Sequence, residues 1–420
     1  MPFKFINKDA GFAAFFVTII ALAIMMGIAF SITALALGGQ RNSANIVKSA
    51  QSYYAAEAGV EDALLRLKQN PTLPPLSYNL NVGQGAGNVD ISNIIGGSRV
   101  IISQGDVLNR VRKIQVVYAV ETTKVSFYYG AQLGEGGVIM DDGSTINGNI
   151  FSNGSVIAGP NTEITGTVWV AIEGNKIQGA NVGEDVYVHT CKDSTIGGVL
   201  TYVSGGSPGN CLFGEGKKET PNNIDSKELP FSNEQIQGWK EDALVGGVYP
   251  GDYILSGFDE GFLGPKKIEG NLIIQDKTNL YIKGTLWVTG NIIIQNFGTA
   301  RLDQNTYGSL SGMIIGDGGI TLQDSAKALG SGVVGSYLLV LSTAVLNPAV
   351  VIQDSFEADI LYAQNGWILV QNTSDVREVT GYGIHLKNNA EIFYEVGLED
   401  TSFSSGPGGS WQVESWRETD

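Results

Sequence analysis

The chain of 420 residues carries 26 Lys and Arg against 42 Asp and Glu, a net charge of −16. A hydrophobic content of 43% excludes a disordered chain, and the acidic balance excludes a nucleic-acid binder, whose phosphate contacts need a basic surface. Only 16% of the residues are charged while 56 are glycine, which points to closely stacked β-structure in two or three domains or one long repetitive one.

No charge occurs between Ala10 and Gln40. The apolar heart of that stretch, Phe12 to Leu37, would be about 39 Å long as a helix, against a hydrocarbon core of about 30 Å. It exceeds the ~7–15 apolar residues of a secretory signal, and no small-residue cleavage motif follows it. A retained membrane helix bounded by Phe12 and Leu37 is therefore expected, in contact with membrane lipid. Lys4 and Lys8, opposed by Asp9, precede the span, and Arg41 and Lys48 follow it. The positive-inside rule favours a cytoplasmic N-terminus, with the acidic remainder outside.

Beyond Gly38-Gly39 the residues Ile46, Ala50, Tyr53, Glu57, Val60, Leu64 and Leu67 recur at helical spacing. Pro71, Pro74 and Pro75 end the pattern, so one helix is expected from about Ala10 to Gln69. Its distal half cannot bury that stripe alone and needs a domain or neighbouring helices. Glu57 lies within the stripe, either as a buried carboxylate that sets assembly register or as an edge residue that reaches water.

A short leader ending in Gly11, then Phe12 and a long apolar helix, resembles the prepilin-type signal of type IV pilins. The segment Tyr53-Tyr54-Ala55-Ala56-Glu57-Ala58-Gly59-Val60 resembles the helix of PilX-type minor pilins. The resemblance implies cleavage by a prepilin peptidase between Gly11 and Phe12, and packing of the mature helix against other pilin subunits. Major pilins carry a Glu at the fifth mature position, which pairs with a neighbour's N-terminal amine. Here that position is Phe16, which favours a minor subunit. Ala10, rather than a basic residue, lies two before Phe12.

Residues 70–124 contain alternating segments, Arg99 to Ile102 and Arg112 to Val120, around Gly105-Asp106, and read as a small antiparallel β-element. From about residue 125 the chain repeats itself. Ile146-Asn147-Gly148-Asn149-Ile150 is matched from Ile164 and, after an equal step, from Val182. Ile268-Glu269-Gly270-Asn271-Leu272 is matched after a shorter step from Ile282. Stacked coils with inward Ile, Val and Leu and turns at Gly or Asn predict a parallel β-helix over 125–420. An antiparallel sandwich is the alternative, and it does not account for the same-residue matches. A non-repeat excursion is expected at about 212–265, with Ser232 and Gln235 as a capping box for a helix from Asn233 to about Leu244. The Gly-rich C-terminus, Ser404 to Trp411 with Trp416, is expected to cap an open end of the coils. The fold class is thus mainly β, with one long N-terminal helix.

No catalytic constellation is legible. His189 and His385 lie far apart, and no phosphate-binding or EF-hand loop occurs, so no catalytic residue, cofactor or metal is expected. Trp169, Trp287 and Trp367 fall inside strand-like runs, where packing is the commoner role. Cys191 and Cys211 fit an extracytoplasmic disulfide closing a loop worth about 3 kcal/mol, against two buried thiols as the alternative. Three readings follow: a non-enzymatic minor pilin-like subunit displaying a β-helix at the cell surface, facing a surface or host ligand; a membrane-anchored β-helix protein acting on or binding polysaccharide; and an anchored adhesin or scaffold that is never processed.

Overall fold

The computed structural model describes residues 8–70, 73–83, 85–95, 97–120, 122–406, 409 and 411–419. Residues 1–7 of the expected leader lie outside them. Helix α1, Lys8–Gln69, runs without interruption through Gly38 and Gly39 and is about 93 Å long at 1.5 Å per residue. Its apolar half stands free. Its distal half lies on an antiparallel sheet of β1 (Leu76–Val82), β2 (Gly85–Ile91), β3 (Ser98–Val107) and β4 (Arg110–Val120). The C-terminal strand Trp411–Thr419 adds a fifth member beside β4, where Trp411 stacks on Tyr118 at 5.3 Å. The C-terminus therefore completes the small sheet and does not cap the coils.

The larger domain is a parallel β-helix in which strands pair with their counterparts one coil away. Ile146, Ile164, Val182, Ile196 and Phe213 form one inward column, and Ile150, Val168, Val186 and Leu200 another. The evenly spaced matches at Ile146, Ile164 and Val182 are this stacking. The match between Ile268 and Ile282 is not: Ile268 stacks on Val288, and Ile282 on Leu302. Each face of a coil uses the same code of inward apolar residue, outward residue, inward apolar residue and turn. The motif consequently recurs within a coil as well as between coils.

The winding order is permuted. The chain enters the stack in the middle, at the strand Ala131–Met140, and winds outward to Gly216–Thr220 at one end. It then crosses to the opposite end, restarts at Val248–Pro250 and winds back until Asp375–Lys387 pairs with Ala131–Met140. Glu391–Phe393 likewise pairs with Thr145–Asn147. The excursion is therefore shorter than 212–265, because Leu212–Phe213, Gly216–Thr220 and the strands from Val248 all belong to coils. What leaves the stack is residues 221–247. Their helix α2, Asn233–Leu244, starts with the reciprocal Ser232–Gln235 capping box.

This crossing segment covers an outward face of the β-helix that is apolar. Phe231, Ile236 and Trp239 pack over Met313, Ile315, Leu339, Leu341, Ile360 and Tyr362. Lys240 ties α2 down through Asp317 at 2.5 Å, and Asp317 also accepts hydrogen bonds from Trp287 and Thr343, each at 2.8 Å. Burial raises the Asp317 pKa, but these donors outweigh it and hold the carboxyl below its ordinary value.

Both stack ends are blunted by their own coils. At one, Tyr249 and Tyr253 take the inward positions over Ile268 and Leu272, edge to face at 5.2 Å, and Pro250 lies on the outer strand. At the other, Lys217 takes the inward position over Leu200, with its ammonium 5.9 Å from the Phe213 ring. An inward charge there discourages a further coil.

Candidate assembly interface

The free half of α1 is apolar on every side. Phe12, Phe15, Ile19, Leu22, Met25, Phe30 and Leu35 are all exposed, and Phe16 lies at the fifth position counted from Phe12. Its few hydroxyls make no demand on the surroundings. Thr18, Ser31 and Thr33 donate to the carbonyls of Phe15, Gly27 and Ala29 at 2.7, 2.9 and 2.8 Å. Such a surface is satisfied by lipid or by other apolar helices. Among the described residues it is the one helix long and apolar enough to cross a membrane. Gly11 and Phe12 both lie within the helix, and Leu37 closes the apolar part.

The bedded half is seated by small residues, and its inner face is rotated from the expected stripe. Ser52, Ala55, Ala56, Gly59, Val60, Ala63 and Leu67 are buried against Val89, Ile91, Ile101, Ile114, Val116 and Tyr118. Of the expected stripe only Val60 and Leu67 are fully buried. Ile46 and Ala50 are exposed, while Tyr53, Glu57 and Leu64 are half-buried. Glu57 thus lies at the edge of the buried face. The cause is close approach: a Cβ on Gly105 would fall 1.9 Å from the Ser52 carbonyl oxygen, and one on Gly87 2.8 Å from that of Ala55. Only small residues fit such a contact, and a search for large apolar residues overlooks them.

Polar contacts fix the helix on its bed. Nearest the apolar half, Arg110 Nε donates to Asn45 Oδ1 at 3.3 Å and Arg112 Nε to Ser49 Oγ at 2.7 Å. Near the far end, Asp62 accepts from Arg66 and from Tyr78, each at 2.6 Å. Burial raises the Asp62 pKa, and these two hydrogen bonds more than reverse it, leaving the carboxyl below its ordinary value.

In the β-helix, Cys191 and Cys211 are joined by a disulfide. His189 contacts Thr190, and His385 lies 2.9 Å from Asp141 across the seam where the two windings meet. Among the described residues no group of three or more His, Cys, Asp or Glu is placed to hold a metal. Trp169 stacks on Tyr187 at 5.7 Å, half-buried and facing outward, while Trp287 hydrogen-bonds Asp317.

Sequence reading missed a ladder of glutamines in the second winding. Gln295 donates to Gln275, Gln323 to Gln295, Gln353 to Gln323 and Gln371 to Gln353, at 2.9, 3.1, 3.0 and 2.5 Å. Each glutamine precedes an Asp or Asn in the left-handed conformation, at 276, 296, 324, 354 and 372. That recurring Gln-Asp or Gln-Asn pair was the available signal.

Glu378 is fully buried near the seam, on a strand paired with both windings. Thr380 Oγ1 donates to its Oε1 at 2.5 Å. Burial pushes its carboxyl well above the ordinary value, and the Thr380 hydrogen bond only partly opposes this. The folded protein therefore holds Glu378 protonated where the unfolded chain has ionised it. This contribution to stability is complete below about pH 4.5 and is lost as pH rises toward the raised value. Glu378→Gln keeps an acceptor for Thr380 and removes the titration. Urea midpoints at about pH 5 and about pH 8 should show the variant gaining on the parent as pH rises, and an equal difference at both would rule the account out.

No family model matches the chain, and no curated protein matches it. Among solved structures the chain is similar to the competence-associated pilin ComZ from Thermus thermophilus, with 12% identity and a TM-score of 0.24 over 89% of this chain and 97% of that one.

Proposed function

We propose that the chain is a non-enzymatic, pilin-like filament subunit of the minor, PilX-like kind, which displays its β-helix outside the membrane. The carrying observation is the division of α1: an apolar half with no partner in its own chain, continuous with a half bedded on a sheet. A lone chain leaves that apolar surface to lipid before assembly, and neighbouring subunits' helices cover it afterwards. Phe16 supplies no carboxylate for a neighbour's amine, which suits a subunit present in few copies. Processing between Gly11 and Phe12 by a prepilin peptidase belongs to this reading. Glu57, at the edge of the bedded face, is available to a neighbour's helix.

The test is the N-terminus of the protein recovered from sheared filaments of its own host. A mature chain starting at Phe12 and co-purifying with pilin subunits is the expected result. An intact Met1 in cells with an active prepilin peptidase, or absence from filaments, would sink the reading.

A second reading, an anchored polysaccharide-binding protein, draws on the outward Trp169–Tyr187 stack. Sugar rings lie on such faces.

A further inference from the structure

We propose that the β3–β4 hairpin and the adjoining turns of α1 form a foot that rests on the bilayer surface and binds anionic phospholipid headgroups. This rests on the reading of Phe12–Leu37 as a membrane span and adds a contact outside that span. The hairpin tip is the part of the folded module nearest the apolar half. Arg110 and Arg112 reach Asn45 and Ser49, and Asn45 lies two helical turns, about 12 Å, beyond Leu37. The headgroup layer adds about 5–8 Å on each side of the hydrocarbon core. Arg41, about 6 Å beyond Leu37, lies within it, and the long side chains at the hairpin extend toward it.

The charge there opposes that of the rest of the exterior. Lys4, Lys8 and Asp9 are the only charges before Arg41, so the whole acidic excess lies beyond Gln40. Yet Arg41 and Lys48 lie on the turns of α1 around Asn45 and Ser49, and Arg110, Arg112 and Lys113 open β4. Arg41 lies one turn before Asn45 on the helix face that meets the hairpin. Among the described residues the acids beside them are engaged: Glu418 pairs with Arg112 at 2.9 Å, and Asp106 accepts from the Asn109 backbone N–H at 3.0 Å within the turn. An open cavity of about 690 Å³ lies between helix and hairpin, with Asn42, Asn45, Ser49, Arg110 and Arg112 as its donors, Glu418 held by Arg112 in its wall, and Ile46 and Tyr53 on the apolar side. Its donors suit a phosphodiester.

The turn residues supply an independent observation. Leu108 and Asn109 have φ of 51° and 65°, the two-residue hairpin turn that favours Asn and Gly. Leucine is a poor choice for that backbone, and its side chain is 67% exposed. Val111, three residues on in the same hairpin, and Ile46, on the helix side of the cavity, are exposed as well. An apolar turn followed at once by Arg110, Arg112 and Lys113, close to the emerging end of an apolar helix, matches a surface with hydrocarbon below and phosphate around.

The test uses the full chain reconstituted in bilayers of phosphatidylcholine alone or with about one-third phosphatidylglycerol, with amide hydrogen exchange read over residues 41–49 and 105–113. Exchange several-fold slower in the anionic bilayer is expected, reversed near 1 M salt, where charges are screened beyond about 3 Å. Arg41→Gln with Lys113→Gln should abolish the slowing. Leu108→Asn should weaken it while leaving the thermal midpoint unchanged or higher, because Asn suits the turn better than Leu. Equal exchange in both bilayers overturns the foot. So does slowing in phosphatidylcholine on adding inorganic phosphate alone, or slowing that scales with protein density, which would mark a second copy as the occupant. Failure to float with vesicles of either composition removes the span and the foot together, whereas flotation without lipid-dependent protection removes only the foot.

Discussion

A valine at Gly105 is expected to destabilise the module of α1 and its sheet by at least ~3 kcal/mol, the upper range for overpacking. A Cβ there would lie 1.9 Å from the Ser52 carbonyl oxygen and 2.6 Å from the Ala56 backbone nitrogen. Neither can rotate away, because both belong to a helix held by its own ladder, so α1 must lift from β3. Gly59→Ala is expected to cost less, although its Cβ would meet Ser103 Oγ at 2.3 Å and Val89 Cγ2 at 2.7 Å, since side chains can turn aside. Hydrogen exchange of the β2–β4 amides in the detergent-solubilised chain reads both. The order Gly105→Val worse than Gly59→Ala is the expected outcome. A Gly105→Val protein with parental protection would show that the helix does not sit this close.

The second large effect is expected at Phe231. This ring is 1% exposed and lies 4.8 Å from Trp239, 5.1 Å from Tyr362, 5.7 Å from Phe403 and 5.9 Å from Phe127. It joins the crossing segment, the β-helix face and the strands that enter and leave the stack. Phe231→Ala removes a ring from a closed cluster and is expected to cost about 3–5 kcal/mol. The loss should be local at first: residues 221–247 become cleavable by protease while the inward columns of Ile, Val and Leu stay protected. Cleavage kinetics equal to those of the parent would contradict the account.

The sequence carried the periodic features well. The uncharged span, the capping box of α2 and the even coil spacing from Ile146 to Val182 each follow from local chemistry that acts within a few residues, and the structure contains all three. It carried the long-range features poorly. No residue announces that Asp375–Lys387 stacks on Ala131–Met140, because every coil surface bears the same inward aliphatic pattern and any coil would fit any other. The return of Trp411–Thr419 to β4 is hidden for the same reason, as one alternating strand resembles another. On the bedded half of α1, residue size misled: a stripe sought by large apolar side chains misses a face made of Ser52, Ala56, Gly59 and Ala63. For Glu57 the sequence left a buried register-setting carboxylate and an edge residue both open, and the structure puts it at the edge, half-buried.

The permuted winding has a mechanical consequence. The strand Thr122–Val125 that leads into the β-helix and the strand Thr401–Ser404 that leads out of it lie side by side, and both continue into the small sheet. A load hung on either tip of the stack therefore reaches the anchor through two legs, one covalent through Thr122–Val125 and β4 and one through hydrogen bonds. The second leg passes its share to β4 lengthwise along the Trp411–Thr419 ladder, so the hydrogen bonds there strain together and do not open one by one. An object gripped at the far end of the coils is held by a doubled tether rather than by a single thread.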